Sequence, residues 1–287
     1  MILIDILSQG ILLGGLYALF AAGLSLVFGI MRLVNLAHGD LIVLAAYLIL
    51  VIVTALGIHP FAAALVAMPV MFAVGWLLQT FLLNRVLGPD ILPPLLVTFG
   101  LSVVTQNALL EGFTADSRKL AAGPIEAAAM PLGPVTLGVM PVLTLASAVL
   151  VIFALNQLFY RTALGRAFRA TSDDAVTAQL MGIRPEKIFA IATGIALVVA
   201  TIAALYLGIR ANFDPSIGPA RLLYAFEAVI IGGLGSLWGT LAGGIVIGVA
   251  QALGAAINPE WQILSGHVAF VLVLLLKPRG LFPRATD

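Results

Sequence analysis

Charge is scarce in this chain, and cysteine is absent. Lys, Arg, Asp and Glu together make up 9% of the 287 residues while 62% are hydrophobic, against about 25% charged in an ordinary soluble domain. That imbalance excludes a soluble domain and leaves an all-α polytopic membrane protein. At about 20 residues per crossing there is room for about eight to ten spans and no hidden extramembrane domain. Without cysteine, disulfides, thiolate metal sites and thiol catalysis are excluded. A net charge of +1 gives no sign of a nucleic-acid partner. A phosphate-binding GxxxxGK[ST] loop is also missing: none of Lys119, Lys187 or Lys277 is followed by Ser or Thr. The N-terminus lacks the basic region of a cleavable signal, so the first apolar stretch is expected to be a retained span.

Hydropathy places spans near 6–30, 41–56, 61–83, 93–110, 141–160, 188–207 and 261–276, with a glycine-rich region at 222–255. Residues 111–140 form a long loop rich in Gly, Pro and Ala, expected on the periplasmic side, and the whole chain, 1–287, reads as a single transmembrane domain. If residues 161–187 are cytoplasmic, Arg32 and Arg85 fall inside and the N-terminus outside, as the positive-inside rule requires. The basic C-terminal tail is then cytoplasmic, and parity demands three crossings between 209 and 277. Region 222–255 holds about 34 residues, too few for two full helices at about 20 each. The expectation is eight to nine spans, with a broken or short helix around GGLGSLWG; a re-entrant loop with a periplasmic tail would satisfy the same count.

Residues 161–187 carry most of the chemistry outside the apolar blocks. They hold five basic residues (Arg161, Arg166, Arg169, Arg184, Lys187) and three acidic ones (Asp173, Asp174, Glu186). At helical pitch Leu164, Phe168, Ala175 and Ala178 share one stripe, and Arg166, Arg169 and Asp173 the opposite face. Thr171 and Asp174 have the spacing of a capping box, and Gly182 before Pro185 reads as a helix stop and restart. Such a loop serves either as a solvated or headgroup-lying connector or as a docking element for a partner.

Three further groups are candidates for function. NLAHGD, residues 35–40, offers Asn35, His38, Gly39 and Asp40 between two spans. Asp40 reads either as the N-cap of the second span or as part of a polar break beside a substrate route. No metal site is expected, because the other histidines, His59 and His267, lie near span ends. Gly232, Gly233, Gly235 and Ser236 serve either close helix packing or an unwound segment with backbone groups free for substrate. Glu227 reads as an interfacial carboxylate or, alternatively, a pathway or proton-relay group. Gln106, Asn107 and Gln251 are adequately explained by hydrogen bonds between helices.

Several stretches in order resemble one family. GLYALFAAGLSLVFGIMRLVNLAHGD is similar to the opening span and signature of the permease subunits of branched-chain amino acid ABC importers, and GLSVVTQN to their fourth span. LGRAFRATSDDAVTAQLMGI looks like their coupling segment, and AVIIGGLGSLWGTLAGGIVIGVAQ like their glycine-rich helix pair. The resemblance implies an ABC importer permease fold in a bacterial inner membrane. It also implies as partners a second permease chain, two cytoplasmic ATPase subunits carrying ATP and Mg, an extracytoplasmic substrate-binding protein, and lipid. This chain would carry no cofactor and no catalytic residue. By analogy Gly165, Arg166, Arg169, Asp173, Asp174 and Gly182 belong to the ATPase-coupling element. The substrate implied is a branched-chain or related amino acid; relatives carry urea, amides or aromatic carboxylates. The rival class is an ion-coupled secondary transporter with Asp40 or Glu227 as carrier.

Overall fold

The computed structural model describes residues 2–88, 90–132 and 135–282. In chain order the helices are α1 (Ile2–Met31), α2 (His38–Leu56), α3 (Pro60–Phe81), α4 (Leu92–Phe113), α5 (Val139–Arg161), α6 (Ala163–Asp173), α7 (Ala175–Leu180), α8 (Pro185–Arg210), α9 (Gly218–Gly232), α10 (Leu237–Ile257) and α11 (Trp261–Leu276). Before α5, strands β1 (Ala129–Leu132) and β2 (Val135–Gly138) pair antiparallel with Ala129 opposite Gly138. Seven helices are long and apolar enough to cross a membrane, and α11 is a shorter apolar helix.

Hydropathy makes these segments helical, because a helix satisfies its own backbone where no water can. It does not decide which of them are central. Glycine does. In α1, a Cβ on Gly14 would lie 2.5 Å from the Cα of Ile245, and one on Gly10 2.6 Å from that of Val249. The partners Gly244 and Gly248 sit equally close to the α1 backbone. Small residues on both faces let the antiparallel α1 and α10 touch along their length, which is how packing proceeds when lipid removes the hydrophobic drive. Most of α1 and α8 is buried, whereas α3, α4 and α5 show most of their surface to the surroundings. Tyr47, Phe113 and Phe213 pack together at one end of this core, with ring centroids 4.5 and 5.1 Å from Tyr47.

The 111–140 loop is tied down rather than free. Arg118 exchanges both backbone hydrogen bonds with Phe213, and Leu120 N–H donates to Gly208 at the end of α8. The Lys119 ammonium donates to Glu126 at 2.8 Å, which holds the Glu126 carboxyl below its ordinary range.

The glycine-rich region divides into a short helix and a longer one. It begins at Gly218, not at 222, and α9 has 15 residues, about 22 Å of helix at 1.5 Å per residue, short of a hydrocarbon core of about 30 Å. It stops where Gly233 and Gly235 take positive φ values of 103° and 78°, conformations that cost a side-chain-bearing residue strain. Ser236 Oγ then accepts from Gly239 N–H and caps α10. The same run also serves packing: a Cβ on Gly232 would fall on the Gly239 carbonyl, and one on Gly243 on the carbonyl of Ala228. The run thus both interrupts the helix, at Gly233–Ser236, and packs closely, at Gly232, Gly239 and Gly243.

Candidate functional site

The charged loop folds into two helices that meet at Asp174. Thr162 caps α6, its Oγ1 accepting from Gly165 N–H at 3.0 Å. The expected Thr171–Asp174 capping box is not formed. Thr171 is buried inside α6 without a side-chain partner, and Asp174 itself caps α7, Oδ1 accepting from Val176 N–H at 2.9 Å and Thr177 N–H at 3.2 Å. The Thr177 hydroxyl donates to the other carboxylate oxygen, and these bonds hold Asp174 below the usual carboxylate range. Gly182 takes φ +85° and Pro185 starts α8, as the sequence suggests.

α6 is fixed to the bundle at several points. Phe168 is fully buried, and Gly165 lies against the carbonyls of Leu158 and Phe159, where a Cβ would collide. The Arg169 guanidinium donates to the Phe159 carbonyl and lies over the rings of Phe159 and Tyr160, at 5.9 and 5.4 Å from their centroids. The Ser172 hydroxyl donates to the carbonyl of Gly29 near the end of α1. Arg166 and Asp173 face outward. Beyond them α7 carries Val176, Leu180 and Met181 at 69, 83 and 79% exposure. Charge and stop signals drew attention to this loop; the apolar surface α7 leaves uncovered was not read from the sequence.

NLAHGD is not a surface connection. Asn35, His38 and Asp40 are buried, and the segment turns back into the bundle. Asp40 does not cap α2: the N-cap position is Ala37, and Asn35 Oδ1 accepts from Ala37 N–H at 3.0 Å. His38 Nε2 lies 3.0 Å from the Phe20 carbonyl in the body of α1. Asp40 Oδ2 accepts from the Ser102 hydroxyl of α4 at 2.5 Å, and Gln106 Nε2 donates to Ser102. At Gly39 the N-terminus of α2 meets that of α9: a Cβ there would fall on the Gly218 carbonyl, and one on Gly218 on Asp40 Oδ1. The N-terminal ends of two helices thus converge on one buried carboxyl group.

The second group, Gly232, Gly233, Gly235 and Ser236, sits at the opposite end of α9. It is about 21 Å from Gly218 along the helix, so the two groups do not form one site. The carbonyls of Ile231 and Gly232 are taken by Leu281 and Phe282 N–H of the C-terminal segment. Gly235 and Ser236 border a cavity of about 330 Å³ with Ser25, Gly29, Asn156 and Trp238. Gly235 also lies against Gly29, 3.3 Å from where a Cβ of Gly29 would stand.

Glu227 is enclosed within the bundle. It is 2% exposed, and its Oε1 lies 2.5 Å from His267 Nδ1 on α11. Tyr17 donates to Gln251 Oε1 at 2.6 Å nearby. His267, 40 positions away in sequence, gives no local signal of this pairing. Among the described residues, no three His, Asp or Glu side chains gather as metal ligands.

A helical bundle with a half-length, broken helix, an intramembrane carboxylate at converging helix ends and an amphipathic loop at one face defines a membrane permease. The family model described as "Branched-chain amino acid transport system / permease component" matches residues 6–276, and the chain belongs to that family. It is similar to the high-affinity branched-chain amino acid transport system permease protein BraD of Pseudomonas aeruginosa, 30% identical over 97% of this chain and 95% of that one. LivH of Escherichia coli is likewise 30% identical, over 96% of this chain and 94% of its own. LivM of the same organism, a second permease protein, is 28% identical across 47% of this chain and 32% of its length. The chain is thus a multi-pass transport subunit.

Proposed function

We propose that this permease is the translocating subunit of an ATP-driven importer of branched-chain or related amino acids in a bacterial inner membrane. Its partners in this reading are a second permease, two cytoplasmic ATPases and an extracytoplasmic substrate-binding protein. The N-terminus lies outside and the C-terminus inside. The observation that carries the reading is the α6–α7 pair, rigidly fixed on its inner side and apolar on its outer side. Two large apolar side chains on a six-residue helix and a third at its C-cap, left in water, are unfavourable by about 25 cal/mol per Å², and a partner's cleft removes that cost.

Force then has a short route through hydrogen bonds and close contacts. Movement of α7 turns α6, which is bonded to α5 through Arg169 and Phe159 and to α1 through Ser172 and Gly29. Gly29 in turn touches Gly235 in the break between α9 and α10. A shift of the docked loop is delivered to the one place where the glycine-rich helix pair is already interrupted.

The test is gentle purification of the tagged chain from native membranes, followed by mass spectrometry. Recovery of phosphate-loop ATPases and a second, similar permease is the expected result. Reproducible recovery of this chain alone, still active in transport, would refute it.

A further inference from the structure

Eight buried side-chain polar atoms have no hydrogen-bond partner among the described residues, and four of them occur in one neighbourhood: Arg210 Nη1, Arg221 Nε, Glu227 Oε2 and Gln251 Nε2. Two tyrosines hold that neighbourhood together. Tyr17 stacks on Tyr224 with centroids 4.8 Å apart, and Tyr224 on His267 at 6.1 Å. Tyr17 donates to Gln251, His267 pairs with Glu227, and both arginines lie within electrostatic reach of Tyr17. The groups come from α1, α8, α9, α10 and α11. Buried polar atoms are nearly always paired, and in a membrane an unpaired ionisable group marks function.

The charges do not balance. The cluster holds two guanidinium groups and one carboxylate, and among the described residues neither arginine forms an ion pair. Arg210 closes α8, where a cation is stabilised by the helix dipole. Arg221 has no such reason to be there. It lies in the first turn of α9, the positive end of that helix, where the dipole opposes it. The end of α9 itself already faces Asp40, so it is the Arg221 guanidinium that favours a further anion here. Glu227 Oε2, six residues along α9 and about 9 Å away on the axis, offers the complementary negative group. The His267 side chain, 33% exposed, gives the cluster an opening on the outer surface of the bundle.

We propose that this cluster is an intramembrane site for the charged head of a zwitterionic amino acid. Arg210 and Arg221 hold its carboxylate, Glu227 Oε2 holds its ammonium, and the stacked Tyr17–Tyr224 pair borders it. The proposal rests on the amino-acid importer reading and adds the residues that recognise the substrate inside the permease.

The experiment uses the complete complex in nanodiscs, labelled with the diazirine analogue of leucine and mapped by mass spectrometry, alongside uptake of radiolabelled L-leucine by the same complex in liposomes. Labels should fall on peptides containing Tyr17 or Tyr224 and be displaced by L-leucine. The amine-free analogue 4-methylpentanoate should compete at least about tenfold more weakly, the worth of one charge-assisted hydrogen bond. In an assembled Arg221→Gln complex, labelling should fall by a similar factor. Equal competition by 4-methylpentanoate in the unaltered complex would overturn the proposal without any variant. Leucine uptake with labels elsewhere would overturn it while leaving the importer reading intact; absence of both uptake and labelling would overturn the two together.

Discussion

Ser172 donates its hydroxyl hydrogen to the carbonyl of Gly29 across 2.8 Å, joining two residues 143 positions apart. One belongs to α6, in the loop proposed to dock a partner, and the other to α1, the most buried of the long apolar helices. Ser172→Ala removes this link without emptying a large volume, at a cost of about 1 kcal/mol. We expect assembly with the ATPases to persist and the number of substrates moved per ATP to fall. Parallel measurement of uptake and hydrolysis in liposomes checks this; an unchanged ratio would remove Ser172 from the force route.

The uncovered face of α7 should be where partners bind. Val176→Asp with Leu180→Asp, both at exposed positions, should leave the permease in the membrane with its melting temperature unchanged and abolish co-purification of the ATPases. Arg166→Glu and Asp173→Arg, on exposed neighbouring positions of α6, should weaken the same association, more at low salt than at high. Full ATPase recovery by all of these variants would place docking elsewhere.

Asp174 supplies a pH signature. Its pKa lies below the ordinary 3.8 because its charged form accepts bonds from the Thr177 hydroxyl and the first amides of α7. A depressed pKa means the cap contributes stability above the ordinary value and loses it as pH falls through the folded-state value. Protection of the α7 amides, measured as exchange relative to the intrinsic rate at each pH, should therefore fall below about pH 4. In Asp174→Asn, which also caps well, that protection should not change with pH in that window. Identical pH profiles for the two proteins would show that Asp174 does not control α7.

Close packing of α1 on α10 sets a different expectation. Gly14→Val places atoms where the Ile245 backbone already stands, so overpacking of about 1–3 kcal/mol or more follows. Gly100→Val, with nothing within 4 Å of its Cβ position, is the matched control. Thermal unfolding in detergent should show a clear loss for the first and little change for the second; equal effects would contradict the packing account.

What the sequence revealed and what it hid have a common cause. Long apolar runs gave six of the seven helices long enough to cross within a few residues, because span length is set by the bilayer and read from consecutive residues; the seventh, α10, lay undivided in the glycine-rich region. The break at Gly233–Ser236 was legible from glycine spacing and crossing parity together. Caps were misassigned where two candidates competed locally. Thr171 matched a capping spacing but is buried in α6, while Asp174, three residues later, makes the cap. Asp40 matched an N-cap, yet the chain turns inward at Asn35 and Asp40 is spent on Ser102, 62 positions away. The Glu227–His267 pair and the Arg210 and Arg221 cluster depend on five helices meeting, which no local pattern records.

The central claim is that ATP hydrolysis on partner subunits drives transport through this permease. Its most direct test is uptake of radiolabelled L-leucine by liposomes containing the complete complex and its binding protein, with either internal ATP or an imposed proton or sodium gradient. The account expects uptake with ATP alone and none with either gradient. Gradient-driven uptake that persists without ATP and is abolished by Asp40→Asn and Glu227→Gln would contradict it and make the chain an ion-coupled carrier.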